Sequence, residues 1–365
     1  MAKVIIAGGG TGGHLFPALA IARELAEGRG GCEVVMVGTE RGLEARIVPG
    51  SGFPLATIPV AGLKGKSFLE SARNAAMLPR ALAASWALLG KHRPGAVVGV
   101  GGYASGPVVA AAILRRVPTL IHEQNMIPGS TNRWLARFVS EVAVTFEETR
   151  RHLGGRGLRT GNPVRREFTS IPPRPRGRAT RHLLVFGGSQ GAAAINAAMA
   201  GALPALAPLR STLVVVHQAG AAGVEELRRV YAAAGIRAEI HPFIEEMAKE
   251  MAEADLILAR AGATTVAELT AAGRGSILVP LPTAIHDHQT HNARMLERAG
   301  AARLMRQQDL SGAVLAKALM EMLADEEGLD GMAAAARRLG RPDAAEKIAA
   351  LTLGLMDPGG KGRAS

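Results

Sequence analysis

A single cysteine, Cys32, stands in a chain of 365 residues. No intrachain disulfide can form, and no cysteine-rich zinc site can exist, which suits a reducing cytoplasm. Aromatic residues make up only 3%. That is too few for a base-stacking platform, and neither zinc-finger spacing nor an RNP-like aromatic motif occurs, so nucleic acid is not an expected partner. No stretch approaches the ~18–20 apolar residues that cross a bilayer. Lys3 leads straight into Val4-Ile5-Ile6-Ala7 and then glycines, with no apolar leader core, so no targeting segment is expected. Asp-x-Asp is absent, which argues against a metal-bridged diphosphate of that type.

Globular chemistry is present in quantity. Hydrophobic residues make up 48% and charged residues 20%, the balance of a folded chain, and the length suits two domains. The formal charge of +12 is uneven. Residues 1–161 hold 19 basic and 10 acidic side chains, residues 162–181 hold 6 and 1, and residues 182–365 hold 18 and 20. The basic character belongs to the first half and the connector. It could attract an anionic membrane surface or a phosphorylated ligand, or simply solvate the chain.

Short β-rich runs alternate with Ala/Leu-rich helical stretches, the pattern of βαβ units and parallel sheets. Strands are expected at 4–7, 33–37, 96–100, 119–122 and 142–145, then at 182–186, 213–217, 238–241, 256–259 and 276–279. Their near-continuous hydrophobicity fits strands covered on both faces. Between the halves lies Ile171-Pro172-Pro173-Arg174-Pro175-Arg176-Gly177-Arg178, which can continue neither a helix nor a central strand. The expected division is a domain at 1–163, a Pro/Arg-rich linker at 164–181, a second domain at 182–340, and a terminal helix at 341–357 packing back toward the first. Both domains are read as Rossmann-like and doubly wound, facing a central cleft.

Gly8-Gly9-Gly10-Thr11-Gly12-Gly13-His14 joins a strand to a helical run. Glycines there permit a tight turn and bring N–H groups against an anion at a helix N-terminus. The loop is no P-loop, since no Gly-Lys-Ser/Thr follows. It is no clean dinucleotide fingerprint either: Val37-Gly38-Thr39 stands where an acid is expected, with Glu40 slightly late. Gly101-Gly102-Tyr103-Ala104-Ser105-Gly106-Pro107 and Gly187-Gly188-Ser189-Gln190-Gly191 repeat the arrangement. Three such loops at strand carboxyl ends point to at least two phosphate-bearing ligands, against the alternative of turns that bind nothing.

His122-Glu123-Gln124-Asn125 reads either as a site or as a turn whose side chains cap backbone groups. Ala263-Thr264-Thr265-Val266-Ala267-Glu268 begins a helix that could hold phosphate, with Glu268 accepting ribose hydroxyls or lying as a surface carboxylate. His286-Asp287-His288-Gln289-Thr290-His291-Asn292 is rich in hydrogen-bonding groups. Metal is its weaker reading, because no carboxylate set accompanies the histidines.

Together with Gly161-Asn162-Pro163-Val164-Arg165, these motifs occur in an order that resembles the bacterial peptidoglycan GlcNAc transferase (MurG) family, over residues 3 to about 350. The resemblance implies a GT-B glycosyltransferase that is inverting and needs neither metal nor cofactor. It would move GlcNAc from UDP-GlcNAc to the C4 hydroxyl of undecaprenyl-diphosphate-MurNAc-pentapeptide (lipid I), giving lipid II. Carried over, Ser189, Arg165, Ala263, Thr264, Thr265, Val266 and Ala267 would hold the donor's charged part. Ile244 would meet the uracil, Glu268 the ribose, and His288 and Gln289 the sugar. Thr11, Gly12, Gly13 and Asn125 would approach the donor across the cleft. Gly101, Gly102 and Tyr103 would hold the acceptor, and His14 is the candidate general base. The stretch 281–288 departs from the family by about one residue.

A lipid acceptor implies a protein peripheral to the cytoplasmic face of the cell membrane, with cell-wall and division proteins as further partners. Lys64-Gly65-Lys66-Ser67-Phe68-Leu69 and the run containing Arg73, Met77, Leu78, Arg80 and Trp86 could lie on an anionic surface, or pack on the sheet. Two other readings stand beside this one. A UDP-GlcNAc 2-epimerase or a GT-B enzyme with a soluble acceptor would keep the donor residues without needing the basic patch. A non-catalytic binding protein would hold nucleotide sugar without turnover.

Overall fold

The computed structural model describes residues 1–28, 31–40, 42–60, 77–188, 191–284 and 287–357. They form two units, Met1–Arg165 with Arg341–Ser365, and Arg166–Gly340.

In the first unit, β1 (Lys3–Ala7), β2 (Glu33–Gly38), β3 (Leu55–Thr57), β4 (Ala96–Gly99), β5 (Thr119–Glu123), β6 (Glu141–Val144) and β7 (Leu158–Arg159) make one sheet in the order β3-β2-β1-β4-β5-β6-β7. Every pairing is parallel. Successive residues of β1 feed opposite layers, as a period of two requires. Val4 and Ile6 pack with Leu15, Leu19, Ile21 and Leu25 of the helix Gly12–Glu27. Ile5 and Ala7 pack with Val108, Val109 and Ala112 of the helix Ser105–Leu114. The last helix, Ala344–Met356, joins the first of these layers through Ile348 and Ala349.

The second unit carries β8 (Arg181–Phe186), β9 (Leu213–Gln218), β10 (Arg237–His241), β11 (Leu256–Ala259), β12 (Ser276–Leu278) and β13 (Ala302–Leu304), ordered β10-β9-β8-β11-β12-β13 and again parallel. Leu183, Val185, Val215, Leu256 and Leu258 form a core with Ile195 and Met199 of the helix Ala193–Ala202 and Leu315 and Leu319 of the helix Gly312–Ala324.

All ten expected strands form within one residue of their expected ends. The structure adds β3, β7 and β13, which are two or three residues long and lie at or next to a sheet edge.

Residues 166–181 run along the second unit. Phe168 is fully buried, and the Arg174 guanidinium lies between the carboxylates of Asp255 (2.6 Å) and Asp330 (2.7 Å). Arg274, also fully buried, donates to the carbonyls of Pro172, Met251 and Ala252. Arg337 donates to that of Ile171. The Ile171 and Pro172 carbonyls lie in a proline-rich stretch that forms no ladder, those of Met251 and Ala252 at the end of the helix Met247–Glu253, and arginines satisfy them.

In each sheet the strand order reverses direction at one place, between β1 and β4 and between β8 and β11. Loops at the carboxyl ends of strands beside such a reversal are where ligands bind in doubly wound sheets. The loops at 8–11 and 100–104 flank the first reversal, and residues 187–188, 191–192 and 260–262 flank the second. The fold therefore brings the four glycine-bearing motifs to two places, one in each unit.

Candidate functional site

At the first reversal, Thr11 caps the helix Gly12–Glu27 in an extended conformation, and Gly9 and Gly10 take φ of 150° and 86°. Gly101 and Gly102 take 88° and 81°. These two loops are pressed together. A β-carbon on Gly102 would fall 2.2 Å from the Gly9 carbonyl oxygen, and one on Gly101 would fall 2.7 Å from the His14 ring. Only glycine permits that approach.

His14 is half-buried, and its Nδ1 lies 3.2 Å from the Thr11 hydroxyl. Burial pushes its imidazole down from 6.5 to about 4, against the opposite pull of Glu44 and the Gly9 backbone. The ring is thus neutral at pH 7 and able to accept a proton. Tyr103 is half-exposed and lies beside Gly10, so a ligand over these loops would meet it. Arg165 stacks its guanidinium over Phe16, 4.9 Å from the ring centre.

The segment 122–125 is largely occupied by the protein itself. His122 Nε2 lies 3.1 Å from the Gly161 carbonyl, and Gln124 donates to the Val100 carbonyl at 2.7 Å. Glu123 closes the following turn by accepting from the Asn125 and Gly129 N–H groups and from the Asn132 amide. Burial nonetheless raises its carboxyl above the ordinary range. The turn-forming reading therefore holds for His122, Glu123 and Gln124. Asn125 is half-buried, with its side-chain amide donating to Glu123.

At the second reversal, Gly188 and Gly191 have φ of 97° and 76°. A β-carbon on Gly191 would meet the Ala219 carbonyl oxygen at 2.2 Å. Gln218, almost wholly buried, donates to the Gly188 carbonyl at 2.7 Å and accepts the Ile244 N–H at 2.8 Å. One amide thus joins the glycine loop to the residue expected at the uracil.

Gly262 caps the helix Ala263–Ala272 and has no side chain to cover the first-turn N–H groups. Ala263, Thr264, Thr265 and Ala267 are half-buried there and Val266 is buried. Glu268 is buried at 8% exposure, which removes the surface-carboxylate alternative. Gln289 accepts from the Leu281 N–H at 3.0 Å, and His288 is half-buried in the same first turn. Ser189 and His286 lie outside the described residues, as do Lys64, Lys66 and the rest of 61–76. Among the described residues no group of three metal-binding side chains occurs.

Three side chains beside the candidate site escaped the sequence reading: Glu44 lies under the first glycine loop, Gln218 under the second, and Arg260 donates to the Val279 and Pro280 carbonyls. Asn292, already part of the 286–292 motif, donates to the Ala261 carbonyl. The signal for Glu44 was present: the acid missing from the end of β2 arrives from the next short helix, Leu43–Ile47.

Comparison with known proteins now adds to the geometry. Residues 4–144 match the Glycosyltransferase family 28 N-terminal domain, and residues 182–348 match the Glycosyltransferase family 28 C-terminal domain. The UDP-N-acetylglucosamine--N-acetylmuramyl-(pentapeptide) pyrophosphoryl-undecaprenol N-acetylglucosamine transferase of Anaeromyxobacter sp. (strain Fw109-5) is 50% identical over 349 residues, covering 95% of this chain and 92% of the relative. Among solved structures, MurG of Acinetobacter baumannii superposes with a TM-score of 0.78 at 34% identity, over 97% of this chain and 99% of that one. The UDP-GlcNAc 2-epimerase from Neisseria meningitidis bound to UDP-GlcNAc has a TM-score of 0.69 at 13% identity, over 97% and 99%. That second likeness shows the fold alone.

The two doubly wound units and these matches define a glycosyltransferase of the GT-B class. The chain belongs to glycosyltransferase family 28 and, within it, to the N-acetylglucosamine transferases of peptidoglycan synthesis.

Proposed function

We propose that this chain transfers GlcNAc from UDP-GlcNAc to the C4 hydroxyl of undecaprenyl-diphosphate-MurNAc-pentapeptide, with inversion at the sugar's C1. The observation that carries the reading is His14, a neutral imidazole packed between two glycine loops at the reversal point of the first sheet. Its partner feature is the glycine loop and uncapped helix at the reversal point of the second.

In this reading the acceptor diphosphate lies over Gly101, Gly102 and Tyr103. His14 takes the acceptor hydroxyl's proton as the oxygen forms its bond to C1. The C1–phosphate oxygen bond breaks on the opposite face, and UDP carries away the electron pair. The leaving diphosphate is held by Ser189, Arg165 and the first-turn N–H groups of Ala263, Thr264 and Thr265, whose dipoles point at its developing charge, with Val266 and Ala267 completing that turn beside it. Ile244 meets the uracil and Glu268 the ribose hydroxyls. His288 and Gln289 read the sugar, with Thr11, Gly12, Gly13 and Asn125 at its reacting end. A helix N-terminus and an arginine supply the positive charge that faces the leaving diphosphate.

The lipid tail of such an acceptor resides in a membrane. No described helix is long and apolar enough to cross one, so the chain would sit against the cytoplasmic face. The helix Leu78–His92 exposes Leu78 and Trp86, with Arg115 stacked 4.3 Å over the Trp86 ring. That apolar-basic pairing fits an anionic interface. Cell-wall and division proteins are natural neighbours at that surface.

Product analysis tests the reaction. The chain incubated with UDP-GlcNAc and a short-chain lipid I analogue is expected to give one β-linked GlcNAc at C4, read by NMR. An α-linkage, or free UDP-ManNAc without transfer, would contradict it.

A further inference from the structure

Glu44 is a buried carboxylate that the reaction above does not use. It is 1% exposed. Its Oε2 accepts the Gly10 N–H at 2.7 Å, and its Oε1 accepts both the N–H and the hydroxyl of Thr39 at 2.8 Å. Three glycines make room for it. A β-carbon on Gly9, Gly38 or Gly42 would fall 2.4, 2.4 or 2.2 Å from atoms of this side chain. Burial alone would push the carboxyl up, but the donors at Gly10 and Thr39 outweigh burial and hold it below the ordinary range.

A buried charge costs several kcal/mol unless its partners offset it, and closing a glycine loop does not require one. The corresponding loop of the second unit is fastened by the neutral amide of Gln218 on the Gly188 carbonyl. The first loop has both a carboxylate beneath it and a histidine at its end. Gly9 touches both: its α-carbon lies against the Glu44 carboxylate, and its backbone bonds to the His14 ring.

We propose that Glu44 is a positioning residue for proton transfer to His14, fixing the Gly9–Gly10 backbone against which the ring rests and offsetting the charge the ring acquires. The inference rests on the transferase reading for its kinetic meaning. When the acceptor hydroxyl gives its proton to His14, an imidazolium forms in a half-buried place. The titratable groups acting on the ring there are Glu44 and His122. His122 is itself held neutral at pH 7 by burial, with its imidazole pushed down to about 4. Glu44 is therefore the fixed negative charge available to the ring. Gly10 N–H is committed to Glu44, so a ligand diphosphate must use other donors of the loop.

The test compares wild type, Glu44→Gln, Glu44→Asp and Thr39→Val in the full chain. Glu44→Gln keeps the volume, removes the charge and sets an amide NH2 against one of the N–H donors. Thr39→Val removes only one donor, and serves if Glu44→Gln does not fold. Two quantities are read: steady-state kinetics for each substrate, and the titration of the His14 ring by NMR.

Glu44→Gln is expected to lower kcat by about 10–100-fold, part of the 10²–10⁴ that a general base contributes. The KM for UDP-GlcNAc should change much less than kcat, since the second unit's loops that hold the UDP part are untouched and only Thr11, Gly12 and Gly13 of this loop meet the sugar. The His14 midpoint should move to lower pH. Thr39→Val should shift both quantities the same way by less, and Glu44→Asp should recover part of the midpoint. An unchanged His14 midpoint in a folded variant, or a loss that appears equally in donor affinity, would overturn the proposal. A wild type that binds UDP but does not transfer would defeat the transferase reading, while the His14 titration would still decide whether Glu44 governs the ring.

Discussion

Glu268 is one carboxylate in a helix of ten residues, and its burial is what separates a ligand group from a surface charge. If it accepts ribose hydroxyls, Glu268→Ala removes charge-assisted bonds worth about 1.5–3 kcal/mol, roughly a 10- to 150-fold loss of donor affinity. Titration calorimetry with UDP-GlcNAc should show that loss with acceptor binding intact; an unchanged donor affinity would refute the placement. Glu268 and His14 stood out as candidates in sequence because each sits inside a motif tied to a strand end. Glu44 and Gln218 did not. Gln218 acts through contacts 30 and 26 residues away, which no local pattern encodes; Glu44 reaches Gly10 across 34 residues, and its one local signal was the acid absent from the end of β2. The segment 122–125 was legible only as an alternative, because polar residues after a strand serve turns and sites equally well.

Elements were legible where hydrophobic period and turn chemistry agreed. Strands read most directly where buried apolar residues run together, as in β1, β8 and β11, because both faces are covered. β3, β7 and β13 escaped because an edge position buries little and so leaves a mixed pattern in two or three residues. The glycine loops carry a sharper expectation. Gly191→Ala places a β-carbon 2.2 Å from the Ala219 carbonyl oxygen at a φ of 76°, so the loop must shift away from its place. Gly235→Ala is the control: its φ of 67° is similar, but nothing lies near the added carbon. Both should lose about 1–2 kcal/mol of stability to left-handed strain, measured by urea unfolding. Only Gly191→Ala should also raise the KM for UDP-GlcNAc, and equal KM values in the two variants would remove this loop from the donor site.

At the scale of the molecule, the two units share an architecture. The doubled strand-glycine-helix pattern announced two sheets, whereas the path of residues 166–181 along the second unit depends on the buried Arg174, which composition presents as linker charge, and on Arg274, a hundred residues further along the chain. Burial holds His14, His122 and His217 neutral, each imidazole pushed down to about 4. The unfolded chain therefore binds more protons than the folded one between pH 6.5 and 4, so stability falls as pH falls through that window. Urea midpoints at pH 7 and pH 5 should differ in that direction; equal midpoints would show that these rings are not held neutral.

In the proposed reaction UDP-GlcNAc gives up its sugar as His14 accepts the proton of the acceptor hydroxyl. Its most direct test is transfer of radiolabelled GlcNAc from UDP-GlcNAc to a short-chain lipid I analogue in EDTA, with wild type and His14→Ala measured side by side. The account predicts metal-independent transfer by the wild type and a folded, UDP-binding His14→Ala slower by about 10²–10⁴. Transfer by His14→Ala at the wild-type rate, or UDP binding by the wild type with no label reaching the lipid, would contradict it.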